Sequence, residues 1–145
     1  MSFFRAENES IIGKPLPPVL NGVAGDKITV IIFYPGDFTP VCTKQLCSYN
    51  SNKELVEMEG VIFIAVSPDT EKSHEEFSKR YGFKFKLVSD PGKELFDYFG
   101  MMTLTLAGRG IVVAKGGAVV AAVKERLPLT YMGAEELKEL VISFI

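Results

Sequence analysis

A chain of 145 residues favours a single domain spanning residues 1–145 and can bury roughly two-thirds of its unfolded surface. Its 16 basic and 18 acidic residues leave a net charge of -2, which offers no field to hold nucleic acid or an anionic membrane. The opening "MSFFRAENES" lacks the apolar core of a secretory leader, and Lys115-Gly116-Gly117 interrupts the apolar stretch Gly110 to Val123, so no membrane span and a cytoplasmic location are expected.

In chain order, residues 1–27 are rich in loop signals, and "GKPLPPVLNG" is too dense in Pro and Gly for a helix interior. The β-branched run "ITVIIF", Ile28 to Phe33, predicts a buried strand of a parallel sheet. Pro35, Gly36 and Asp37 end it. A helix follows, with Thr39 as N-cap and Pro40 at its first position, and is expected to reach about Met58 before Gly60 stops it. "VIFIAV", Val61 to Val66, predicts a second buried strand. Glu71 to Tyr81 reads as a helix with Gly82 just past its end.

"FKLVSD" then predicts a short strand, and "GKELFDYFG" a short helix closed by Gly100. "GIVVA" and "AVVAAV" flank Lys115-Gly116-Gly117 as a β-hairpin. Ala134 to Ile145 closes the chain as a helix whose Leu137, Leu140, Val141 and Phe144 form one apolar stripe facing the core. Strands alternating with helices predict an α/β fold, a central mixed β-sheet flanked by helices on both faces.

The chemistry concentrates in "FYPGDFTPVCTKQLC", which holds both cysteines, Cys42 and Cys47. Two cysteines in a reducing compartment do not make a disulfide framework, and with the one histidine, His74, they fall short of a zinc ligand set. No metal site is expected, and His74, in the charged stretch "TEKSHEEFSKRYG", reads as a solvated surface residue. Thr39 at the cap puts Cys42 in the first helical turn, where unpaired N–H groups and the positive end of the helix dipole favour a thiolate. A buried cysteine that merely packs is the alternative.

Five residues along a helix amount to about 7.5 Å of rise, which separates the two Cα atoms by roughly 8 to 9 Å. A disulfide tolerates about 7 Å at most. Either Cys47 is structural, or the first turns of the helix unwind for the sulfurs to meet.

Pro35, Thr39 and Cys42 reproduce the P-x-x-x-[TS]-x-x-C signature of the peroxiredoxins, which the sequence therefore resembles. "CTKQLC", "VSPD", "SHEEF" and "LVSDP" are similar to the subgroup called bacterioferritin comigratory protein, or Q-type peroxiredoxin, from about Pro15 onward. The resemblance implies a thioredoxin-like fold and a thiol peroxidase that reduces hydrogen peroxide and organic hydroperoxides. It implies that Cys42 attacks the peroxide and becomes a sulfenic acid, and that Cys47 resolves this to an intramolecular disulfide. Thr39 would offer its hydroxyl to the peroxide, and Pro35 would shield the site from water.

Arg109, just before "GIVVA", corresponds to the family's catalytic arginine, with Arg126 after the hairpin as the alternative. Gly110 and Ala114 depart from the residue types usual after that arginine, and the segment between "PPVL" and "ITVIIF" is shorter than usual. Thioredoxin or a similar dithiol is the implied reductant, a monomer or weak homodimer the implied assembly, and no metal, haem or flavin cofactor is implied. A thiol–disulfide exchange protein and a redox sensor on the same fold are the rival readings. The C-x-x-x-x-C spacing weighs against the first, because exchange proteins use C-x-x-C.

Overall fold

The run Ile28–Phe33 forms strand β2, buried along its whole length, because its neighbours pair on both edges and both of its faces are covered. The computed structural model describes residues 4–20 and 27–145. Strand β1 is Arg5–Glu7, β3 is Val61–Ser67 and β4 is Lys86–Ser89. After the small hairpin of β5 (Met102–Thr103) and β6 (Leu106–Ala107) come β7, Gly110–Lys115, and β8, Ala118–Glu125. The main sheet has six strands in the order β1-β8-β7-β2-β3-β4. β2, β3 and β4 run parallel, and the β7–β8 hairpin joins antiparallel to β2. The sheet is therefore mixed, as expected.

Period two sorts β2 onto two cores. Ile28, Val30 and Ile32 face the helices α1 (Pro40–Asn50), α3 (Glu71–Tyr81) and α5 (Ala134–Ile142), meeting Leu46, Tyr49, Phe77, Leu137 and Val141. Ile31 and Phe33 face the other way, onto Leu95, Phe96 and Phe99 around helix α4 (Glu94–Tyr98), and onto Ile11 and Leu16 of the N-terminal segment. Leu140 and Phe144 of the terminal stripe pack against the first core, half-buried.

Local signals set several boundaries. Gly82 follows α3 in the left-handed region, φ 64°, and donates its N–H to the Ser78 carbonyl. Gly116 and Gly117 both have positive φ, 62° and 81°, which is the backbone a tight two-residue hairpin needs. The helix expected from Pro40 to about Met58 breaks in two. α1 ends at Asn50, and the short α2, Lys53–Val56, starts anew with the Asn52 side chain accepting from the Leu55 N–H at 3.1 Å. Asn50-Ser51-Asn52 supplies three side chains that bond nearby backbone or neighbours in place of continuing a helix. The terminal helix stops at Ile142, short of Ile145. Strand β1 lies within the stretch read as loop-rich. The shortened segment before β2 lies largely outside the described residues.

The burial pattern makes a direct stability test. Leu137→Ala empties a fully buried position between α5 and the sheet and should cost about 2–5 kcal/mol in urea unfolding. Leu129→Ala, at a residue 73% exposed, should change stability by no more than about 0.5 kcal/mol.

Candidate active site

Cys42 occupies the third residue of α1, behind Pro40 at the first, and is 1% exposed. Thr39 takes the cap position, but its side chain makes no capping bond. Its hydroxyl instead donates to the Gly36 carbonyl at 2.8 Å, turning back over the loop. The Thr39 carbonyl accepts the Thr43 N–H, so the helix begins where the sequence places it.

Arg109 reaches this turn from the neighbouring strand, at the residue before β7. Its Nη1 donates to Cys42 Sγ at 3.3 Å and to Gln45 Oε1 at 2.5 Å, and its Nη2 to the Pro128 carbonyl at 3.4 Å. The arginine is 5% exposed, and its Nε is buried without a partner. This sets a guanidinium donor directly against the sulfur, in a place from which water is largely excluded.

Gln45 lies three residues after Cys42, on the same helix face, and its Nε2 donates to Tyr49 Oη at 3.1 Å. Tyr49 in turn donates to the Met132 carbonyl at 2.5 Å. Burial pushes the Tyr49 phenol well above its ordinary value, so it remains a neutral donor. Neither residue was singled out in the sequence, although two polar residues on a buried helix face were the available signal.

Gly108 and Gly110 bracket the arginine for steric reasons. A Cβ on Gly108 would fall 2.6 Å from the Met101 carbonyl oxygen. One on Gly110 would fall 2.6 Å from the Val123 carbonyl oxygen and 2.3 Å from Met101 Sδ. The unusual Gly110 is therefore what lets β7 close against Met101 and β8 with Arg109 at its head.

Pro35 is exposed and, with Arg109, Leu106, Ala107, Leu127 and Pro128, lines a cavity of about 230 Å³. Arg126 lines the same cavity from an exposed position, but Arg109 is the arginine on Cys42. Cys47 lies further along α1, half-buried, with a free thiol like that of Cys42. Burial pushes the Cys47 thiol up. The structure thus brings Cys42 and Arg109 together, sets Pro35 in the lining of the cavity and Thr39 at the start of the helix that carries Cys42, and leaves Cys47 apart on an intact helix. Among the described residues, no three His, Cys, Asp or Glu side chains are placed to hold a metal ion, and no helix is long and apolar enough to cross a membrane.

The AhpC/TSA family pattern matches residues 19–123, well over half of the chain. The chain belongs to the AhpC/TSA family. It is 36% identical over 100 residues to a chloroplastic peroxiredoxin Q of Sedum lineare, covering 67% of this chain and 54% of that protein. It is 32% identical over 83 residues to a putative peroxiredoxin bcp of Coxiella burnetii, covering 57% of this chain and 54% of that protein. The chain thus spans about half the length of these curated relatives. Among solved structures, a cysteine-to-serine mutant of Xanthomonas campestris peroxiredoxin Q superposes with a TM-score of 0.73 at 25% identity, covering 83% of this chain and 81% of that one. The resemblance to Q-type peroxiredoxins and the thioredoxin-like fold it implies are both borne out.

A further expectation fails in this AhpC/TSA protein. His74 is not a solvated surface residue. It is 4% exposed, with Nδ1 2.7 Å from Asp37 Oδ2 and Nε2 3.1 Å from the Val88 carbonyl oxygen. The ring thus bridges the loop after β2 to strand β4. The charged stretch around His74 hid this, because its partners lie 37 and 14 residues away in sequence.

Asp37 also accepts from Tyr34 Oη at 2.6 Å and Ser73 Oγ at 2.8 Å, and its own N–H donates to Asp69 Oδ2 at 2.7 Å. The next residue, Phe38, has φ 60° and packs on Phe77 with ring centroids 4.9 Å apart. A bulky residue in the left-handed region is strained, and these anchors hold it there.

The Asp37 carboxyl supplies an acid-stability test. Burial would raise its pKa, but hydrogen bonds from His74, Tyr34 and Ser73 outweigh that and hold it below the ordinary 3.8. A group depressed on folding stabilises fully above its unfolded value and loses that contribution as pH falls through its folded value. Wild-type stability should therefore drop as pH falls below about 4. Asp37→Asn, which weakens the acceptor shared by His74, Tyr34 and Ser73, should cost about 1–3 kcal/mol at neutral pH and flatten this part of the acid profile. Urea midpoints taken between about pH 2.5 and 7 check both.

Proposed function

We propose that the protein is a thiol-dependent peroxidase acting on hydrogen peroxide and organic hydroperoxides, with Cys42 as its peroxidatic residue. The single observation that carries this reading is the buried Arg109 guanidinium donating to the sulfur of a first-turn cysteine. In the proposed cycle the Cys42 thiolate attacks the terminal peroxide oxygen, and the O–O bond breaks. Sulfur is oxidised by two electrons to the sulfenic acid, and the departing alkoxide takes up a proton as an alcohol or water.

Arg109 steadies the thiolate and the charge that develops along the breaking bond. Thr39, whose hydroxyl hydrogen is committed to the Gly36 carbonyl, keeps its oxygen lone pairs for the peroxide hydrogen. Pro35 limits water at the mouth. Leu106, Leu127 and Pro128 make an apolar wall that favours the alkyl part of an organic hydroperoxide.

Cys47 then attacks the Cys42 sulfenic sulfur, giving the disulfide and releasing water. Because the two residues sit five apart on an intact helix, this step requires the first turns of α1 to unwind. A thioredoxin-type dithiol returns the bridge to two thiols. We read residues 1–145 as one catalytic domain, a monomer or weak homodimer, working in a reducing compartment such as the cytoplasm, which suits its two free thiols.

Stopped-flow reaction with peroxide, intact mass and amide exchange test this cycle. Cys42→Ser should consume no peroxide. Cys47→Ser should take one equivalent and stall before reduction by thioredoxin. Arg109→Lys should keep the fold and lose at least about tenfold in peroxide rate. Oxidised wild type should carry a 42–47 disulfide and exchange faster across residues 40 to 50. A protein that leaves Cys42 unoxidised by peroxide would refute the reading, and bridged protein with unchanged exchange would refute the unwinding.

A further inference from the structure

Three charged residues lie in one row across the sheet. Arg5 of β1 is the register partner of Glu125 at the end of β8. Gly110 pairs with Lys124 in the β7–β8 ladder, and the Glu125 N–H donates to the Arg109 carbonyl at 2.9 Å, so Arg109 stands next to Glu125 one step beyond. Residues in register across neighbouring strands project on the same side with Cβ atoms about 5 Å apart. The row reads plus, minus, plus, and it faces Tyr49, whose phenol feels the charges of all three.

The contacts within the row are one-sided. Glu125 Oε2 lies in an ion pair 2.6 Å from Arg5 Nε, without hydrogen-bond geometry, and Oε1 accepts from Thr130 Oγ1 at 2.7 Å, so both carboxylate oxygens have a neighbour. Arg109 forms no ion pair among the described residues, although it keeps a buried Nε with no partner. Glu125 and Arg5 are both nearly fully buried, where a bare carboxylate is costly and seeks the nearest cation. Without Arg5, that cation is Arg109.

We propose that Arg5 is a positioning residue for the Cys42 reaction: it holds the Glu125 carboxylate and so leaves the Arg109 guanidinium free for the sulfur and the peroxide. The proposal rests on the peroxidase reading above. A carboxylate drawn onto Arg109 would neutralise the charge that faces Cys42 and turn its donors away. Arg5 also donates to the Tyr131 carbonyl at 2.5 Å and pairs with Glu136 at 3.5 Å, so it tethers the segment that carries Pro128. A test must separate that tether from the capture of Glu125.

The separating experiment is the second-order rate of Cys42 oxidation by peroxide in Arg5→Met, Glu125→Gln and the double variant. The tether is lost equally in Arg5→Met and the double, but only Arg5→Met leaves a buried carboxylate beside Arg109. Arg5→Met should react at least about tenfold more slowly than wild type, and the double should recover to within about threefold of Glu125→Gln. Arg5→Met at the wild-type rate, or a double as slow as Arg5→Met, overturns the proposal.

Should Arg5→Met not fold, Thr130→Val replaces it. That variant frees Oε1 while keeping Arg5, so it should slow the reaction about threefold, and Thr130→Val/Glu125→Gln should restore it. An unslowed or unrestored Thr130→Val overturns the proposal as well. Wild-type protein whose Cys42 ignores peroxide would instead sink the underlying reading, which keeps the two failures distinct.

Discussion

The contact between the Arg109 guanidinium and the Cys42 sulfur is the constraint on which the rest of the structure depends. A guanidinium buried to this depth is costly unless its donors are satisfied, and its neighbours engage Nη1 and Nη2 while Nε stays without a partner. Gln45 supplies a side-chain oxygen from the same helix as Cys42, and Pro128 a backbone oxygen from the far loop. Tyr49 fixes Gln45 and is itself fixed by the Met132 carbonyl. The strand that presents Arg109 closes only because Gly108 and Gly110 leave room for Met101 and the β8 backbone.

Two buried polar pairs flank this contact and act on different parts of it. Asp37 and His74 pin the loop between β2 and α1 to the start of α3 and the edge of β4. Arg5 and Glu125 close the opposite flank, on the β1–β8 edge. Buried pairs are weak sources of stability compared with apolar packing, so their placement here is better understood as geometric control. The apolar cores on the two faces of the sheet do the stabilising, and the polar groups decide where the reactive side chains point.

Much of the fold was legible because its signals are local. The β-branched runs at β2 and β3, the glycine after α3 and the glycine pair at the β7–β8 turn each dictate their element within a few residues. The break after Asn50 was missed because the helical pattern runs on, while Ser51 and Asn52 bond local backbone and Asn50 reaches Gly82 and Lys84, far away in sequence. Cys42 could be read from its place in the first helical turn. Arg109 could be named only through family resemblance, since 67 residues separate it from Cys42 and no spacing links them. His74, Arg5 and Glu125 were illegible for the same reason: a charged residue in a charged or loop-like stretch looks solvated until the strand register shows what lies opposite.

The early end of α1 bears on how the molecule would keep account of oxidation. Tyr49 ties the end of this short helix to the Met132 carbonyl, so in the proposed cycle the Cys47 end would be the stationary one and Cys42 the traveller. In the proposed cycle the sulfur that received the oxygen therefore leaves Arg109 as the bridge forms. A bridged molecule would have neither a nucleophile nor a sulfur against its guanidinium, and a second peroxide would find nothing to react with. The protein would behave as a one-bit memory, written once by peroxide and unreadable by it until a dithiol resets the helix.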